Sequence, residues 1–164
     1  MNRVCSIRLA VFLLIGGLWS AATVAAQAPA APAAQAPQAL SYEMALQVMD
    51  AAEAEARKNK WNVTIVVTDA AGVPVVLRRL TGASPRSYDI ATRKAATVVA
   101  TKLTTAIYGE QLKAGSVKEV PNGIPFAGGV PIMRGTEFIG AVGTSGVRAI
   151  EDEQISRAGA GVIK

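Results

Sequence analysis

The sequence predicts an α+β domain, an antiparallel sheet of hairpins flanked by helices. Three observations predict it. β-Branched runs flank a glycine-bearing turn at 61–80, and a second pair of short apolar runs flanks another at 129–144. Three segments instead carry apolar residues at helical spacing. The two kinds alternate as helix, two strands, helix, two strands, helix, an order that suits antiparallel hairpins and not a doubly wound parallel sheet.

The chain opens with a segment that is not part of this domain. Met1–Arg8 carries Arg3 and Arg8 and no acid, Leu9–Trp19 is apolar, and Ser20–Ala26 is dominated by small residues. That is the pattern of a secretory signal, with cleavage expected near Ala26. Its apolar core is short for a spanning helix. The mature protein is therefore expected in the periplasm or outside the cell, without a stable membrane span. Cys5 leaves with the signal, so no disulfide, thiol nucleophile or thiolate site is expected in the mature protein. Removing Arg3 and Arg8 from the 17 basic residues leaves 15 against 12 acidic ones, a net charge of +3. No Lys/Arg cluster remains to form a nucleic-acid footprint. Residues 27–38, QAPAAPAAQAPQ, hold only Ala, Pro and Gln and read as a linker. Residues 39–164 form one domain by size.

Ser41 is the expected N-cap of the first helix, in which Ala45, Val48, Met49, Ala52 and Ala56 share a face and Arg57–Lys60 close the end. Its methionines read as core. Trp61–Thr68 is a strand, Asp69–Gly72 a turn, and Val73–Leu80 the returning strand. Ser84 and Pro85 suit the start of a second helix running to Leu103. Ser87 and Lys94 sit on its buried stripe with Ala91 and Val98. The expected course of that lysine is to snorkel to solvent; the alternative points it into a pocket beside Ser87. Residues 104–125 are weakly patterned and read as a long loop. Gly129–Met133 and Glu137–Thr144 form the second hairpin, and Ile150–Lys164 the last helix. Glu151, Asp152 and Glu153 at its start are explained by the helix dipole.

The 164 residues contain no histidine, which removes the usual general base and the usual zinc and haem ligand. No Gly-rich phosphate loop fits, because Gly140–Gly143 lies inside a strand. What survives is a pocket where Arg79, Ser87, Lys94 and the glycine-rich 127–146 backbone could meet, suited to a carboxylate-bearing ligand.

The stretches VVTDAAGVPVVLRRLTGA, SYDIATRKAATVV, GIPFAGGVPI and IGAVGTSG, in that order, resemble the GlcG/HbpS family of haem-binding proteins. The C-terminal domain of PduO-type corrinoid adenosyltransferases belongs to the same group. Asp69, Gly72, Arg79, Gly82 and Ala83 match in the first stretch, and Ser87, Ala91, Lys94 and Ala95 in the second. Gly128, Gly129 and Pro131 match in the third; Gly140, Gly143, Ser145 and Gly146, with Asp152 and Glu153 beyond, match in the last. The resemblance implies a profilin-like fold, assembly into a homo-oligomer such as an octamer, and haem binding, with degradation or redox sensing in some members. Because histidine is absent, an axial ligand would have to be Tyr, Met, Lys or a hydroxyl, for example Tyr88, Tyr108, Met133 or a threonine. The expected contacts are Arg79, Ser87, Lys94, Gly128, Gly129, Thr144 and Ser145. Two other readings stand beside haem: a small organic acid held by Arg79 and Lys94, and an assembly module whose glycines only pack subunits.

Overall fold

A computed structural model describes residues 39–164. The segments expected to be a signal and a linker lie outside the described residues. The elements are α1 (Tyr42–Lys58), β1 (Thr64–Asp69), β2 (Pro74–Arg79), α2 (Arg86–Thr101), α3 (Thr105–Lys113), β3 (Gly129–Arg134), β4 (Glu137–Ser145) and α4 (Ala149–Ala160). Every strand pair is antiparallel, in the spatial order β2-β1-β4-β3. The α+β expectation therefore holds, with one helix more than expected. Among the described residues no helix is long and apolar enough to cross a membrane.

Alternation along the strands divides the core. Ile65, Val67 and Val142 face α1 and α4, where they meet Val48, Met49, Ala52, Ala56 and Ile155. The opposite face carries Ala141, on which Ala95 and Val98 of α2 pack. Met49 is wholly buried, so the methionine of the first helix is core, as expected. Ser41 caps α1 by accepting a hydrogen bond from the Met44 N–H at 3.2 Å. Ser41→Ala is expected to cost about 1 kcal/mol of unfolding free energy, measured by urea denaturation.

The boundaries differ where local geometry intervenes. α2 ends two residues early because Lys102 adopts a left-handed φ of 60° and donates its N–H to the Val98 carbonyl. β1 starts at Thr64, not at Trp61. α4 stops at Ala160, just before Gly161.

The larger correction is α3, inside the expected long loop. Thr104 caps it, its side chain accepting from the Ile107 N–H. Its weak apolar pattern and internal Gly109 hid it. That glycine is required by packing, since a Cβ there would lie 2.1 Å from the Pro125 carbonyl oxygen.

Candidate functional site

The stripe of α2 that faces β4 carries Lys94, and the structure overturns the expectation that it snorkels. Its side chain is 1% exposed. The ammonium donates to Asp152 Oδ2 at 2.8 Å and to the Thr144 carbonyl at 2.9 Å. The Phe126 ring stands over it, 5.3 Å from ammonium to centroid, close enough for a cation–π contact. A buried ammonium persists only when paired, and the helix-start carboxylate supplies the pair. Asp152 is therefore more than an acid answering the helix dipole. Its Oδ1 also accepts from the Val147 N–H at 3.2 Å, which ties the end of β4 to the start of α4. Glu151 does act locally, accepting from the Arg148 N–H at 3.0 Å.

Burial pushes the Lys94 ammonium below the usual lysine range, and Asp152 opposes that shift. Burial likewise pushes the Asp152 carboxyl up, opposed by Lys94. Each charge is costly by itself and is held by the other.

Glycine closes this cluster. Gly128 has φ +125°, and a Cβ on it would lie 2.3 Å from Lys94 Nζ and 2.8 Å from the Thr144 carbonyl oxygen. The Gly128 carbonyl accepts from Ser156 Oγ at 2.8 Å and from the Thr144 N–H at 2.9 Å. The Thr144 hydroxyl shares a hydrogen bond with Ser156 at 2.8 Å. Gly129 lies under α2, its N–H donating to Thr105 Oγ1 at 2.9 Å.

The expected contact residues thus sort into two groups. Lys94, Gly128, Gly129 and Thr144 meet in the sealed cluster around Asp152. Arg79, Ser87 and Ser145 gather around Thr64, which pairs with Arg79 on β2 and with Ser145 on β4. Thr64 Oγ1 lies 2.7 Å from Ser87 Oγ. Ser87 therefore bonds to β1 and not to Lys94, and both residues are buried. Arg79 donates to the Ala83 carbonyl, so the two cations are committed to separate partners. Sequence reasoning missed Phe126 and Ser156, and it missed the pairing role of Asp152. The signal for the pairing was Lys94 itself, since a cation on a buried stripe requires a counter-charge.

Open space lies elsewhere. Beside the edge strand β3, Val130, Pro131 and Met133 line a groove of about 270 Å³ with Arg157, Ala160, Gly161 and Ile163. Of the three named axial candidates, Tyr108 is buried, and its hydroxyl accepts from the Val120 N–H at 2.9 Å. Tyr88 is 53% exposed on the outer side of α2. Met133 alone of the three lines this groove.

A family model described as haem degrading protein HbpS-like matches residues 40–161. Protein GlcG of Escherichia coli strain K12 is 35% identical over 108 residues, 65% of this chain and 81% of GlcG. A double mutant of Streptomyces reticuli HbpS superposes with a TM-score of 0.72 at 33% identity, over 88% of this chain and 99% of that one. PduOC in its complex with haem superposes at 0.65 with 27% identity, over 77% and 96% respectively. The expected profilin-like arrangement, a four-stranded antiparallel sheet between helices, agrees with these neighbours. With its family model covering most of the chain and with relatives matched over most of their length, the chain belongs to the HbpS-like family.

Proposed function

We propose that this chain is an exported, homo-oligomeric protein that binds haem or a related tetrapyrrole. The carrying observation is its likeness to PduOC, whose structure holds haem and which is matched over 96% of its length. A histidine-free chain must supply a different ligand, and the groove beside β3 fits that need. Met133 provides a thioether, Val130, Pro131 and Ile163 provide apolar wall, and Arg157 provides a cation for a propionate. Glu153 accepts from Arg157 Nε at 2.8 Å and so orients that guanidinium. Haem, when bound, supplies a redox-active iron; the chain supplies orientation and an apolar face.

At about 270 Å³ the groove covers only part of a macrocycle. Ligand sites usually enclose most of their ligand, so a second surface is required. A second copy of the chain across the β3 edge would provide it, which links haem binding to assembly. The reading that gives a small acid to Arg79 and Lys94 has less support, because the Lys94 side chain is buried and its ammonium is held by Asp152 and the Thr144 carbonyl.

Haemin titration followed by absorbance tests the proposal, with albumin as reference. The expected result is a saturable Soret shift at one haem per subunit, weakened on the order of tenfold or more in Met133→Ala. A non-saturating response would remove haem from the function. Saturable binding unaltered in Met133→Ala would remove Met133 as the ligand.

A further inference from the structure

At the opposite end of α1 from its Ser41 cap lies a second cavity, of about 320 Å³, lined by Arg57, Lys60, Trp61, Asn62, Leu80 and Thr81. It shares no lining residue with the Met133 groove. We propose that this cavity is a binding site for a small aromatic carboxylate.

α1 ends at Lys58, and the Lys60 N–H donates to the Arg57 carbonyl at 3.1 Å while the Trp61 N–H donates to Ala56 at 2.9 Å. Lys60 sits between these bonds at φ 59°, in the left-handed region. Glycine is the usual residue where a chain leaves a helix in this conformation. A lysine there, like Lys102 at the end of α2, keeps backbone strain that glycine would remove. The side chain it places at the cavity is an exposed ammonium.

The lining fits one ligand chemistry. Trp61 and Leu80 pack against the main core, which holds them in place as an apolar wall for a flat ring. Lys60 and Arg57 supply positive charge, and no carboxylate lines the cavity. Glu53 answers Arg57 at 2.5 Å from outside the lining, which leaves Lys60 as the principal anchor for an anion. Asn62 and Thr81 supply neutral hydrogen-bonding groups at the wall. A ring bearing one carboxylate satisfies the wall and the cation together. A dianion would exceed the charge available, and an unsubstituted hydrocarbon would leave the polar groups unmet.

The test uses benzoate, with benzamide as its neutral counterpart of similar shape, titrated calorimetrically into the full chain. Benzoate is expected to bind saturably at one site per chain and benzamide on the order of tenfold more weakly. Lys60→Gly removes the ammonium and fits the left-handed backbone, so its melting temperature should be unchanged or higher while benzoate affinity falls on the order of tenfold. A residue with only a packing role would not separate the two measurements in that direction. Absence of saturable benzoate binding, equal binding of benzamide, or undiminished binding by Lys60→Gly would each overturn the proposal. The haemin response of Lys60→Gly should match the parent, so the two binding proposals can fail independently.

Discussion

Lys94→Met should lower unfolding free energy by about 3–5 kcal/mol in chemical denaturation, because it leaves the Asp152 carboxylate buried without its counter-charge. The Thr144 carbonyl loses a donor in the same step. The double replacement Lys94→Met with Asp152→Leu removes both charges. It is expected to recover most of that loss and to equal or exceed the parent, as buried ion pairs replaced by apolar groups often do. The pH dependence separates these variants further. A lysine whose folded pKa is lowered contributes full stability only above its ordinary range, and loses it as pH falls through that range. A carboxyl whose folded pKa is raised contributes full stability only below its ordinary range, and loses it as pH rises. At neutral pH both groups are therefore opposed by burial, and the double variant is free of both penalties. If Lys94→Met proves as stable as the parent at neutral pH, the sealed pair described above is wrong.

Gly143→Ala should be the most disruptive single methyl in the sheet. A Cβ at this position would lie 2.1 Å from the Ala91 carbonyl oxygen and 2.7 Å from the Ala95 nitrogen, both backbone atoms of α2. Neither can turn aside as a side chain could. The helix must lift from β4, and with it Lys94 moves from Thr144 and Asp152. The expected cost is about 3 kcal/mol, at the upper end of overpacking penalties, read as a lower urea midpoint. Gly135→Ala is the comparison, since nothing lies within 4 Å of a Cβ there, although its φ of +59° still strains the turn. Equal losses in the two variants would show that the close approach of α2 to Gly143 costs no more than the strained turn at Gly135.

Much of this protein is local enough to be read from its residues. The stripe from Ala45 to Ala56 needs only the helical period, and the Asp69 turn needs only its carboxylate. Asp69 Oδ1 accepts from the Ala71 and Val73 N–H groups, each at 2.9 Å. Ser41 caps a helix from a position that sequence alone identifies. These features depend on neighbours a few positions away, so they hold whatever the rest of the chain does.

The partnerships that shape the candidate site are different in kind. Lys94 and Asp152 are 58 positions apart, and although a lysine on a buried stripe signals a counter-charge, nothing along the chain names Asp152 as its source. Ser87 and Lys94 share a stripe, yet Thr64 takes the one and Asp152 the other, because different parts of the sheet pass beneath each turn of α2. Helix α3 was hidden for the same reason, its glycine set by a carbonyl sixteen positions on. Periodicity and capping determined which segments form and which faces are apolar, since those are short-range steric and solvation effects. Only the tertiary structure decided that the glycine-rich cluster is closed and that cavities open beside Met133 and Lys60, because free volume is what remains after all the elements have packed.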